Sequence, residues 1–185
     1  MKLERRILKE SFMILVLASI LSSIGGIGLE KVQEKVFSIL PLLILLPALN
    51  GMVGNFGIIF SSRYTTLHYQ KKLGKEKFMN KAMKKHLILV LLISVICAFY
   101  ISTLSFAVSF MKGFKIEPMI YIKVLIITIL SALILVFIIS AMTIVAGNYS
   151  IRKKEDPDNI LIPLTTSIAD LGSMLIFSLL VYTLV

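Results

Sequence analysis

Five stretches of 19 to 30 residues carry almost no charge, and their length decides what the chain can fold into. They run Ser11 to Leu29, Val36 to Phe60, Leu87 to Met111, Pro118 to Gly147 and Ile160 to Val185. About 20 apolar residues in a helix cross the roughly 30 Å hydrocarbon core of a bilayer, so each stretch is long enough to span. The apolar residues come in blocks rather than at amphipathic spacing. They make up 57% of the chain, against about 45 to 50% in a soluble domain. Backbone N–H and C=O groups inside lipid must be satisfied internally, which helices do within one segment. The expectation is an all-α integral membrane protein: one domain over residues 1–185, with five transmembrane helices and no soluble regulatory domain.

The net charge of +10 would point to nucleic acid in a soluble protein. Here its distribution along the chain reads as topology. Of the twenty Lys and Arg, fifteen fall before the first stretch, between the second and third, and between the fourth and fifth. Four, Lys31, Lys35, Lys112 and Lys115, fall in the alternate loops, and Lys123 lies inside the fourth stretch. The positive-inside rule then places the N-terminus in the cytoplasm and the C-terminus outside, in the cytoplasmic membrane, with no nucleic-acid partner. The basic loop over 71–86 carries Phe78, Met79, Ala82 and Met83 at helical spacing. That pattern predicts a surface helix whose lysines meet anionic lipid headgroups.

Cys97 is the only cysteine, so neither a disulfide framework nor a thiolate metal site can form within the chain. His68 and His86 flank the basic loop without neighbouring ligands and read as interfacial residues. No His, Cys or Ser–Lys pair lies at depth, which argues against an enzyme and against a resident cofactor. Ser22, Ser23, Gly25, Gly26 and Gly28 close the first stretch and suit tight helix packing. The third stretch reads as scaffold. The fourth is similar, and long enough to tilt.

The second and fifth stretches differ from the rest. Within seventeen residues the second holds Pro41, Pro47, Asn50, Gly51, Gly54, Asn55 and Gly57. Each proline lacks an N–H and frees a carbonyl one turn earlier, at Phe37 and Leu43, so a discontinuous helix is expected. Asn50 and Gly54 share one helical face, and Gly51 and Asn55 the next. Carboxamide oxygens and exposed carbonyls are ligands that a hard cation, or its water shell, prefers. The fifth stretch enters through Asp156, Pro157, Asp158 and Asn159 and continues with Pro163, Thr165, Thr166, Ser167 and Asp170. Asp158 or Asn159 is a candidate N-cap, and the acids here could also draw cations to a pore mouth. Thr166 and Ser167 precede Asp170 by four and three residues, a spacing that lays an acid–hydroxyl track along one face. Asp170 lies ten residues in, about 15 Å at 1.5 Å per residue, near mid-bilayer. A carboxylate there costs on the order of 3 kcal/mol and so faces a bundle interior or an aqueous path. Two discontinuous helices and one midplane acid form the pattern of a cation pathway. A hydrogen-bonded carboxyl that only joins helices is the competing reading.

At these residues the chain resembles the transmembrane domain of MgtE-type magnesium channels, through Gly51, Gly54, Asn55 and Gly57 of the second span. The run from Asp156 through Pro163 and Ser167 to Asp170, and Ser61 to Thr66 after the second span, are similar to the eukaryotic solute-carrier relatives of MgtE. The resemblance implies a homodimer of five-helix units with the cation path on the two-fold axis, lined by the second and fifth spans. It also implies that Asp170 holds magnesium, one copy from each subunit. The backbone carbonyl of Thr166 would assist, and Asn55 stands in the position of the second-span asparagine. Asn50 and Gly54 join them as candidate metal-site residues. Gly51, Gly57, Pro163, Ser167, Asp156, Asp158 and Asn159 are expected to line the path or its entrance. The function expected is divalent cation transport, most simply of magnesium, with the ion as bound cargo. A sodium- or proton-coupled exchanger and a non-transporting assembly subunit are the alternatives.

Overall fold

The computed structural model describes residues 2–70, 81–115, 117–153 and 155–185, and side chains from Phe12 onward apart from residues 13, 14 and 18. Among them the order is α1 (Lys2–Glu30), α2 (Gln33–Ser38), α3 (Leu40–Tyr69), α4 (Lys81–Met111), α5 (Pro118–Arg152) and α6 (Pro157–Leu184), with no strand. Four of these, α3, α4, α5 and α6, are long and apolar enough to cross a membrane. In α1 the apolar part reads continuously over Leu15–Glu30 among the described residues. The surface helix expected over 71–86 falls on residues 71–80, outside the described residues, and on the start of α4, where Met83 is buried and Ala82 exposed.

Local sequence explains where the helices begin and end. Proline stands in the first turn of α3, α5 and α6, where its missing N–H is one that a helix start leaves unbonded anyway. Asp156 caps α6 by accepting from the Asp158 N–H at 3.1 Å. It takes the role expected of Asp158 or Asn159. At the end of α4, Gly113 has φ +83°. Phe114 N–H reaches Ser109 C=O at 3.0 Å and Gly113 N–H reaches Phe110 C=O at 2.9 Å, which is a Schellman stop.

The expected breaks in the second and fifth spans do not occur. Pro41 opens α3 instead of interrupting it, because the chain before it turns off as the separate helix α2. Both α3 and α6 then run unbroken through Pro47 and Pro163. A single proline removes only one backbone bond, the one to the carbonyl four residues earlier, and the turns on either side hold the helix together. In α6 the hydroxyls of Thr166 and Ser167 both return to the Pro163 carbonyl.

Small residues set the helix crossings. Gly57 of α3 meets Thr165 of α6 and Ile139 of α5; a Cβ there would stand 3.0 Å from the Thr165 Cβ and 3.2 Å from the Ile139 side chain. One turn on, Ser61 bonds Thr143 at 3.3 Å, and another turn on, the Tyr64 ring covers Gly147 while its hydroxyl donates to Asn148 Oδ1 at 3.0 Å. These pairs ascend together, so α3 and α5 run parallel. Gly57 with Thr165, Gly54 with Ala169, and Asn50 with Asp170 descend against each other, so α3 and α6 are antiparallel. Helix α5 packs against α3, α4 and α6 and supplies buried residues from Val124 to Ser150. Half of its apolar length is buried, so it is not only the scaffold its composition suggests. Helix α1 packs along α6, with Gly25 on Leu171 and Met174 and Gly28 on Leu175, and hardly touches the other helices.

Candidate cation site

Asp170 is the fourteenth of the 28 residues of α6, at mid-helix, and is half-buried. Its carboxylate is held from two other helices. Asn50 of α3 donates from Nδ2 to Oδ1 at 2.8 Å, and Ser22 of α1 donates from Oγ to Oδ2 at 3.2 Å. The carboxamide of Asn50 is itself oriented, because Ser173 Oγ donates to its Oδ1 at 3.0 Å. Ser173 shares that proton with the Asp170 carbonyl at 3.1 Å. An ionised carboxylate offers about four acceptor positions. Two are filled here, and the remainder are free for water or an ion. Because α1 and α3 scarcely meet, the acid lies at the crease where both pack on α6.

The residues expected to share this site divide into two groups. Asn50 joins Asp170 directly. Asn55 does not: it lies more than a turn along α3, is exposed, and makes no hydrogen bond among the described residues. Gly51 is exposed with open space around it, and Gly54 is half-buried against Ala169. Gly57 is a packing residue rather than part of a path, since its backbone is wedged between Thr165 and Ile139. The hydroxyl track toward Asp170 is absent as well. Thr166 Oγ1 turns back to the carbonyls of Ile162 and Pro163, at 3.0 and 2.9 Å, and Ser167 Oγ to that of Pro163. Thr166 itself remains half-exposed on the same side of α6 as Asp170, while Ser167 is buried.

At the start of α6, Asp156 is exposed and engaged as the cap, whereas Asp158 and Asn159 are half-buried and one Asp158 oxygen has no partner. His86 stacks on Phe60 with ring centroids 5.5 Å apart, near the start of α4. Cys97 is a free, half-buried thiol. Ser22 was read only as a packing residue. Its polar role depends on which side of α1 meets α6, and spacing within α1 cannot reveal that. No group of three or more His, Cys, Asp or Glu side chains able to hold a metal occurs among the described residues.

Four long apolar helices packed around a half-buried, hydrogen-bonded carboxylate are the architecture of a multi-pass membrane protein. Residues 46–180 match the family model MgtE, a divalent cation transporter, and the chain belongs to that family. The match takes in Asn50, Asp170 and Ser173 but begins after α1, so Ser22 comes from outside the matched segment. No curated protein and no solved structure matches the chain.

Proposed function

We propose that the chain is a magnesium channel or transporter of the cytoplasmic membrane that works as a homodimer, with Asp170 of each subunit at a shared midplane site. The observation that carries this is the exposed face of α3. Pro47, Ala48, Gly51, Asn55, Ser62 and Thr66 all face outward there, beside the crease that holds Asp170. In a single subunit this face would set the Asn55 carboxamide against lipid. A second copy related by a two-fold axis covers the face and brings a second Asp170 to the same level.

One carboxylate balances half the charge of a divalent ion, and two balance all of it. Magnesium gives up its waters reluctantly and is bound through few carboxylates with several waters kept. Asp170, with two acceptor positions filled by Asn50 and Ser22, is suited to receive such an ion through its waters. Gly51 gives that water shell room beside α3. The Thr166 carbonyl assists only through the lone pair that an unbroken helix leaves it. Asp158 and Asn159, at the start of α6, form the entrance on the side where the N-terminus lies, the cytoplasmic side. The basic loop over 71–86 holds that side against anionic headgroups.

The test is divalent flux into liposomes containing purified protein, with magnesium, manganese and cobalt compared. Wild type is expected to carry magnesium, and Asp170→Asn to abolish the flux while keeping the size-exclusion profile and melting temperature. Undiminished flux through Asp170→Asn overturns the assignment.

A further inference from the structure

Beyond the acid site, a groove lies between α1 and α6 toward their C-terminal ends. Its volume is about 640 Å³, and it is lined by Ile24, Ile27, Gly28, Leu175, Leu179 and Tyr182, with Lys31 at its mouth. A second hollow of about 340 Å³ shares Ile24 and Ile27 with it and continues along α1 to Ser19. From Lys31 to Ser19 is twelve residues, about 18 Å of helix. That is close to the depth of one leaflet, half of a hydrocarbon core about 30 Å thick.

Besides Tyr182, Ser178 and Lys31 are the polar side chains of the groove itself, while the second hollow adds Ser19 and Ser23, whose hydroxyls bond carbonyls of α1. Ser178 lines the groove, is 5% exposed, and its hydroxyl has no hydrogen-bond partner. Lys31 is exposed and makes no ion pair or hydrogen bond among the described residues. The other cation nearby, Lys35, is already engaged: its ammonium donates to the Tyr182 carbonyl at 3.3 Å and lies 5.4 Å from the centre of the Tyr182 ring. Glu30 and Glu34 are exposed on the same segment but do not line the groove.

We propose that this groove is a binding site for one anionic phospholipid. Its phosphate meets Lys31 at the level of Tyr182, where aromatic residues mark a membrane interface. Ser178, one turn deeper, lies in the wall beneath the glycerol region, its hydroxyl covered. An acyl chain then lies along Ile27, Ile24 and Leu175 toward Ser19. A free cation at one end and an apolar channel of one-leaflet depth below it repeat, in order, the charged and apolar parts of an anionic phospholipid. A second copy of the chain, the other candidate occupant, would have to bury the free ammonium of Lys31.

Native mass spectrometry of the full-length protein, with phosphatidylglycerol and phosphatidylcholine supplied in equal amounts, tests this. Wild type is expected to retain one phosphatidylglycerol in preference to phosphatidylcholine. Lys31→Gln should cut that preference about fivefold, the value of one lysine near an anionic surface. Ile27→Trp, which fills the groove from its exposed side, should lower retention of both lipids, and Lys115→Gln, on a different loop, should change neither. Equal retention in wild type, Lys31→Gln and Ile27→Trp overturns the proposal. Spontaneous disulfide cross-linking of Ile27→Cys in a Cys97→Ala background also overturns it, because a second copy then occupies the groove.

Discussion

Asn50 donates its carboxamide N–H to Asp170 across 2.8 Å, joining the middle of α3 to the middle of α6. Ser173, from the same helix as Asp170, accounts for the direction of that bond. By donating to Asn50 Oδ1 it leaves only the nitrogen to face the acid. The arrangement is a clamp of two residues on a third, and each part has a separate consequence.

Replacing Asn50 by Leu removes both halves of the clamp and leaves Asp170 with Ser22 as its one donor and Ser173 with the Asp170 carbonyl. An unsatisfied buried polar group costs about 1–3 kcal/mol, while hydrogen bonds between helices in lipid average about 0.6 kcal/mol. Asn50→Leu is therefore expected to lower the melting temperature and to cut magnesium flux about tenfold, equivalent to ~1.4 kcal/mol. Ser173→Ala only frees the carboxamide to turn, so a few-fold loss of flux with little change in stability is expected. Thermal unfolding in detergent and liposome flux measure the two together.

Ser22→Ala tests whether α1 takes part in the site. The mutation removes one of two donors to Asp170 and leaves the glycine contacts of Gly25 and Gly28 with α6 intact. Flux is expected to fall less than in Asn50→Leu, because the 3.2 Å bond from Ser22 is longer than the 2.8 Å bond from Asn50. Stability should change by less than about 1 kcal/mol. An unchanged rate would confine the role of α1 to packing.

The contrast between Asn50 and Asn55 illustrates how far the sequence reaches. Length and hydropathy show that α3 and α6 are apolar helices, and the lone charge between Ile160 and Val185 marks Asp170 before any coordinates are known. Which asparagine meets the acid depends on the rotation of α3 about its axis. That rotation is set by Gly57 wedging against Thr165 and Ile139, contacts between residues far apart in the chain. The prolines misled for a related reason. Their lost N–H groups are visible in sequence, but whether a helix bends at one missing bond depends on its packing, and α3 and α6 are held on several sides. Ser22 could not be singled out because nothing within α1 identifies its partner helix.

Glycines of α3 should divide by environment. Gly57→Ala places a methyl 3.0 Å from Thr165 Cβ, where two helix backbones must part, and overpacking of this kind costs about 1–3 kcal/mol. Gly51→Ala meets nothing within 4 Å in the single subunit, and by helix propensity it would stabilise by about 1 kcal/mol. Melting temperatures of the two variants should therefore move in opposite directions. If Gly51→Ala keeps its stability and loses flux, the space beside Gly51 is used by the ion or its water.

Tyr64 and Gly147 form a second tight contact, toward the end of α3 remote from Leu40. Any side chain at position 147 collides with the Tyr64 ring, and moving the ring breaks its bond to Asn148. Gly147→Ala is expected to destabilise by about 1–3 kcal/mol. Tyr64→Phe should cost less, since it loses only one hydrogen bond. In the double variant Gly147→Ala with Tyr64→Leu the clash is relieved, so its cost should fall below the sum of the two single changes, as residues in contact require. A strictly additive result would show that the two residues do not press on each other.

The homodimer makes the most direct structural prediction. If the exposed face of α3 lies on a two-fold axis, residues there approach their own copies, whereas exposed residues of α4 such as Ile96 face lipid. In a Cys97→Ala background, a single cysteine at Gly51 should form an intersubunit disulfide under mild oxidation in native membranes. A cysteine at Ile96 should not. A disulfide needs Cα atoms about 4.4–6.8 Å apart, so chance encounters in the bilayer give far lower yields than a fixed interface. Divalent ion adds a second measurement at the same site. Magnesium drawn between two Asp170 carboxylates lowers their mutual repulsion, so it should raise the rate of cross-linking at Gly51 in wild-type background and leave it unchanged in Asp170→Asn. Cross-linking at Ile96 but not at Gly51 would place the subunit contact on the wrong face for a shared acid. Asp170 would then have to serve a single subunit.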